Sequence, residues 1–229
     1  GVCPKLSAVQ SFFRFLLRRG AVSVDPAHGV NAPKKSKPLP YFVREADMDC
    51  LLDDLEFPDS FAGRRDKTII SMLYSTGMRA AEILGLDLAD VDLRNAMVSV
   101  VGKRNKQRLI PLHPELLREL EDYMLAREAV LGGKPEDSAL FIEERSGKRI
   151  AYPRLRVIVR DALSRVTIQS KRSPHVLRHS FATSMLNNFA DLQSVKELLG
   201  HSSLKTTAIY THTTFEELKK LYNQAHPRA

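Results

Sequence analysis

Between Ser7 and Gly20 the apolar residues Val9, Phe12, Phe13, Leu16 and Leu17 recur at the i, i+3, i+4, i+7, i+8 spacing of an amphipathic helix, and Gly20 supplies a stop. One helix cannot bury its own stripe, so this segment either closes a helical domain or packs on the next part of the chain. Residues 21–40 carry Pro26, Pro33, Pro38 and Pro40 beside Lys34, Lys35 and Lys37. Proline removes amide donors and disfavours a helix, which marks 21–40 as a basic linker and a domain boundary. Beyond it the pattern is mostly helical: Arg44–Leu55, Thr68–Tyr74, Arg79–Leu84 and Pro114–Leu131, then 153–165, 174–187, 191–199, 203–210 and 214–222. Two short β-branched or apolar runs, Met97–Val101 and Arg108–Leu112, bracket a basic tip at 102–107 and predict an antiparallel hairpin. The expected fold is therefore mainly α with a small antiparallel β-sheet, residues 41–229 forming one domain.

Composition narrows the class. With 229 residues, 27% charged and 43% hydrophobic, the chain has the length for one or two packed cores, which excludes collagen-like, low-complexity and disordered readings. No uncharged apolar run approaches the roughly 18 to 20 residues that span a bilayer, and no leader pattern opens the chain, so a cytoplasmic protein without a membrane partner is expected. The chain begins Gly-Val rather than Met, consistent with a processed or truncated piece. Cys3 and Cys50 are too few for a disulfide framework or a cysteine zinc site. No glycine-rich phosphate loop of either nucleotide-binding pattern is present, so neither ATP nor NAD is expected as a cofactor.

The formal net charge of +8 is unevenly spread. Residues 1–40 hold seven Lys/Arg against Asp25 alone, 41–62 hold Arg44 against seven acids, and 153–206 hold nine Lys/Arg against three acids. Basic segments separated by an acidic one suit a sided surface facing a polyanion. Lys34, Lys35, Arg104, Arg154, Arg156, Lys171 and Arg172 are the candidate phosphate contacts.

Chemistry-bearing residues gather in four places. In Pro174–His179 the i, i+3, i+4 spacing puts His175, Arg178 and His179 on one helix face. An arginine beside an imidazole handles anions and moves protons, whereas the same residues also fit a capped helix start or, through His175 and His179, two ligands of a zinc ion. Val176 stands where a zinc protease carries its glutamate and no clear third ligand is found further along, so no metal is expected. In Gly200–Tyr210, Gly200 closes one helix, Ser202 or Ser203 caps the next, His201 lies on the turn, and Tyr210 falls near the end of a short helix. A phenol works as a nucleophile near neutrality only beside a base or cationic groups. Arg79 begins a helix after the Thr76-Gly77 turn, with Glu82 one turn on to hold it, and Lys103 and Lys106 sit at the hairpin tip.

Taken together, TGMRAAEILGL (76–86), GKRNKQRLIPL (102–112), HVLRHSFATSML (175–186) and LLGHSSLKTTAIYTH (198–212) resemble the successive catalytic boxes of the tyrosine site-specific recombinases, most closely the bacterial Xer proteins. The similarity extends through 7–34, which resembles the end of that family's DNA-clamping helical domain. The resemblance implies 1–20 as the last helix of that domain, 21–40 as linker and 41–229 as a catalytic domain that breaks and rejoins DNA without metal or ATP. It implies a site in which Arg79 and Arg178 neutralise the non-bridging oxygens of the scissile phosphate and His201 adds a hydrogen bond. Lys103 protonates the leaving 5′ oxygen, His175 accepts or orients the tyrosine proton, and Tyr210 attacks to leave a 3′-phosphotyrosyl bond. Glu82, His179 and Lys106 are then supporting residues, Lys106 being the rival to Lys103. Arg104 stands where Xer hairpins usually carry glycine. The implied partners are double-stranded DNA, further recombinase subunits in a homo- or heterotetramer joined through a C-terminal helix (Phe215, Leu218, and Leu221 or Tyr222), and a DNA translocase as activator. A mobile-element integrase, a type IB topoisomerase and a catalytically silent DNA-binding protein are the alternatives.

Overall fold

A computed structural model describes residues 2–31, 41–102, 107–132, 138–188, 194–195, 198–200, 220 and 222–228. The chain forms two compact units, Gly1–Leu39 and Pro40–Ala229. In the first, α1 (Val2–Arg18) starts five residues earlier than the apolar spacing implies and ends in Arg19 and Gly20, whose φ is +69°.

The second unit is built on α3 (Phe61–Thr76), which packs against α5 (Pro114–Leu131) and α7 (Pro174–Asn187). Ser60 caps α3 by accepting from the Gly63 amide at 3.1 Å. Every residue from Thr68 to Thr76 is buried, so the second half of this helix is enclosed on all sides. The apolar pattern alone starts it at Thr68 and misses Phe61–Lys67, which carries no apolar stripe; the cap at Ser60 is the signal that marks the true start.

The Arg44–Leu55 helix divides into α2 (Glu45–Asp49) and a π-helical turn, Cys50–Asp54, which turns Leu51 and Leu52 into the core. Helix α4 (Ala80–Gly85) leads through a 3₁₀ turn, Leu88–Asp90, to a sheet of three strands rather than two. Strands β1 (Val91–Asp92), β2 (Met97–Val101) and β3 (Gln107–Pro111) run antiparallel in that order, with Val98 opposite both Val91 and Ile110. Helix α6 (Tyr152–Ser164) packs on α3 and α4. Among the described residues no helix is long and apolar enough to cross a membrane.

The end of the chain belongs to this core. Tyr222 is fully buried and donates its hydroxyl to the Ser75 carbonyl at 3.0 Å, and Ala225 and His226 are buried beside it. Tyr222 therefore serves its own domain. Phe215, Leu218 and Leu221, the other residues of the expected stripe, lie outside the described residues. Arg228 ties the segment down by bonding Asp53, Glu115 and Asp49 at 2.7, 2.8 and 3.4 Å.

His113 caps α5 by accepting from the Leu116 amide at Nδ1, which leaves Nε2–H to donate to Ser75 Oγ at 2.9 Å. Its ring stacks on His226 at 5.7 Å. Burial, with Arg228 nearby, pushes His113 down to about 4. Burial, then His113 and Arg228, pushes His226 down to about 3. Their unfolded values lie near 6.5, so between there and the folded values the unfolded chain binds protons that the folded one refuses. Stability is then flat above about pH 7 and falls with acidification, by about 1 kcal/mol for each histidine at pH 5.5. Urea melts at pH 7.5 and 5.5 measure this, and His113→Asn, which keeps a capping oxygen, should remove about half the difference.

Candidate active site

The site begins where α3 stops. Gly77 takes a left-handed conformation (φ +59°, ψ 18°), and its amide bonds back to the Leu73 carbonyl. The chain turns there and restarts at Arg79, the extended residue before α4. Glu82, in the first turn of α4, accepts from the Arg79 amide at 2.7 Å and from Arg79 Nη1 at 2.8 Å. One carboxylate thus caps the helix and sets the direction of the arginine that precedes it.

A second arginine reaches the same carboxylate from the sheet. Arg108 on β3 gives Nη1 and Nη2 to the two Glu82 oxygens at 3.1 and 2.9 Å, and its Nε to the Leu198 carbonyl at 2.8 Å. Burial acts to raise the Glu82 carboxyl, but the hydrogen bonds from Arg108, the Arg79 amide and the Arg79 side chain outweigh it and hold the group down at about 2. Glu82 is therefore ionised throughout the physiological range.

Arg178 enters from α7. It is 9% exposed, and its Nη1 and Nη2 donate to the carbonyls of Gly77 (2.5 Å) and Leu199 (2.7 Å). The Leu199 carbonyl also takes Arg79 Nη1 at 3.4 Å, so arginines about a hundred residues apart in sequence meet on one oxygen. Burial, then the charges of Arg79 and Arg108, lowers Arg178 to about 10, which still leaves it a cation at neutral pH. Three guanidinium groups around one carboxylate leave a net positive cluster, an environment that draws and holds an anion.

Leu199 itself bonds back to the Val195 carbonyl at 3.0 Å, and Gly200 adopts φ +64°, ending this helical turn one residue before His201. His175 and His179 lie exposed on α7, the helix that carries Arg178. Lys103, Lys106, His201 and Tyr210 lie outside the described residues, as do Lys34, Lys35 and Arg104. Of the remaining phosphate-contact candidates, Arg156 and Lys171 are exposed, with Lys171 Nζ 4.6 Å from the centre of the Tyr41 ring, and Arg154 and Arg172 are half-buried. Among the described residues no three His, Cys, Asp or Glu side chains converge as a metal site.

A profile of the phage integrase family matches residues 42–217. The chain belongs to that family. It is 40% identical over its full length to the tyrosine recombinase XerC of Actinobacillus pleuropneumoniae serotype 7 (strain AP76), of which it spans 72%. The crystal structure of XerA recombinase matches all of this chain and 78% of its own, with a TM-score of 0.63 at 28% identity. XerH site-specific recombinase bound to a palindromic difH substrate in a post-cleavage complex matches 85% of this chain and 56% of its own, with a TM-score of 0.66 at 27% identity. The protein is a tyrosine recombinase, a DNA strand transferase in the phage integrase family.

Sequence reasoning overlooked Arg108. On β3 the alternation puts Arg108 on the inward face with Ile110, while Gln107 and Leu109 point out. A charged residue in an inward register was the available signal, because such a group is kept only when it is paired.

Proposed function

We propose that this chain cuts and rejoins duplex DNA through Tyr210 in an Xer-type reaction that resolves chromosome dimers. The observation that carries the reading is the meeting of Arg79 and Arg178 on the Leu199 carbonyl, two residues before His201. A phosphate seated between those guanidinium groups would have both non-bridging oxygens neutralised as charge builds in the pentacoordinate transition state. The Tyr210 oxygen attacks phosphorus in line as His175 takes or orients its proton. The bond to the 5′ oxygen breaks as Lys103 supplies a proton, and a 3′-phosphotyrosyl ester remains. The ester conserves the energy of the broken bond, so a second strand's 5′ hydroxyl reseals it by the reverse route. His179 and Lys106 support the site.

Residues 41–229 act as the catalytic domain in this reading. Residues 1–20 are the last helix of a DNA-clamping domain, and 21–40 are the basic linker, a division supported by the compact units Gly1–Leu39 and Pro40–Ala229. The protein works in the cytoplasm on the nucleoid, in a tetramer of recombinases responsive to a DNA translocase. Identity of 40% to XerC over the whole chain favours this over the mobile-element integrase reading.

The test is incubation with nicked duplexes carrying a dimer-resolution site, with a chelator present and ATP absent, followed by denaturation and peptide mapping of any protein–DNA adduct. Attachment of the 3′ phosphate to Tyr210 is expected. Attachment elsewhere, or no adduct, overturns the reading.

A further inference from the structure

We propose that Arg108 is a positioning residue of the recombination reaction: by neutralising Glu82 from the sheet side it leaves the charge of Arg79 available to the phosphate and fixes the direction in which Arg79 points. The inference rests on the site assignment above and adds a residue to it.

The Glu82 carboxylate is bonded symmetrically. Oε1 takes Arg79 Nη1 at 2.8 Å and Arg108 Nη1 at 3.1 Å, while Oε2 takes the Arg79 amide at 2.7 Å and Arg108 Nη2 at 2.9 Å. Each oxygen therefore receives one donor from each arginine, and the carboxylate is held in one plane between them. Glu82 and Arg79 alone would form a neutral pair, with the arginine's charge cancelled before any substrate arrived. Arg108 changes that balance, leaving the trio with one net positive charge and placing Arg79 on its open side. The side chain of Arg79 is 35% exposed, whereas those of Arg108 and Glu82 are 6% and 4% exposed. Arg79 can meet a ligand that Arg108 cannot.

Arg108 also holds the backbone that leads to His201. Its Nε bonds the Leu198 carbonyl at 2.8 Å, and Gly200 packs so closely that a Cβ there would lie 3.1 Å from Arg108 Nη1. One buried side chain thus spans Glu82 and the turn before His201. Lysine cannot replace it, because one ammonium group cannot donate to two carboxylate oxygens and a carbonyl in a fixed fork.

The experiment is a double-mutant cycle on the full chain, read as single-turnover cleavage of the nicked duplex at saturating protein, with gel-shift affinity and melting temperature measured in parallel. Arg108→Met should slow cleavage by about 30-fold, and Arg108→Lys by about 10-fold, with affinity within about 3-fold of the unsubstituted protein. In an Arg79→Ala background either substitution should cost no more than about 5-fold, because the part of its effect that runs through Arg79 is gone and only the hold on the Leu198 carbonyl remains. The acid limb of the cleavage profile should also move to higher pH in Arg108→Met, as Glu82 loses two of its four donors. Losses that multiply fully in the Arg79→Ala background overturn the positioning role while leaving the site assignment intact. So does a loss of cleavage that only tracks melting temperature. If Arg108→Met does not fold, the cycle is read with Arg108→Lys. Absence of any adduct in the unsubstituted protein overturns both readings.

Discussion

Arg178→Lys will slow single-turnover cleavage by about 10³-fold while changing duplex affinity only a few-fold. The wild-type guanidinium bridges the Gly77 and Leu199 carbonyls, at 2.5 and 2.7 Å, which fixes its plane beside Arg79. A lysine offers one point charge that cannot satisfy both carbonyls and also meet a phosphate. Its charge is less secure as well. Burial and the neighbouring arginines bring Arg178 down to about 10 from an ordinary 12.5. The same surroundings would lower a lysine from its ordinary value near 10.4, closer to neutrality than the arginine. Residual activity in the variant should then decline at alkaline pH before that of the parent protein does, because the lysine loses its proton first. Cleavage within 10-fold of the parent, or a residual activity that outlasts the parent's as pH rises, would remove Arg178 from the catalytic centre.

Gly77→Ala is expected to cost about 3 kcal/mol of stability and to depress cleavage with it. The left-handed conformation alone costs an alanine about 1 kcal/mol, and overpacking adds about 2 kcal/mol. The new Cβ would lie 2.4 Å from Phe181 Cδ1 and 2.9 Å from Leu199 Cδ2, both in buried side chains with no room to retreat. For a unit of this size that corresponds to a drop of about 9 °C in melting temperature. The displaced atoms belong to the site, since the Gly77 carbonyl receives Arg178 and the Leu199 carbonyl receives Arg178 and Arg79. Cleavage should therefore fall even well below the melting range. An unchanged melting temperature would show that this turn is looser than its packing implies.

Local rules accounted for the elements whose ends carry a signal. Helix α5 runs from Pro114 to Leu131 as its pattern implies, because proline suits the first turn and Gly132 takes a left-handed stop. Helix α7 likewise begins at Pro174. The pattern failed where tertiary packing decides. The first half of α3, Phe61–Lys67, carries no apolar stripe, a two-residue strand such as β1 is too short to alternate, and the π turn after α2 resembles ordinary helix in sequence. The same division holds in the site. Arg79, Glu82 and Arg178 stand out in short motifs. Arg108 belongs to a strand whose neighbours across space, Glu82 and Leu198, lie 26 and 90 residues away, and no local window contains that pairing.

The closing segment of the chain joins distant parts of the molecule. One guanidinium, that of Arg228, is the shared counter-ion of Asp49, Asp53 and Glu115, while the Tyr222 hydroxyl occupies the carbonyl of Ser75, two residues before Gly77. Peeling this segment away would set three carboxylates against one another and strip a donor from the last turn of α3. A pull on residues 222–228 would thus be transmitted to the bend that aims Arg79, so this segment and the arginine cluster are in mechanical series.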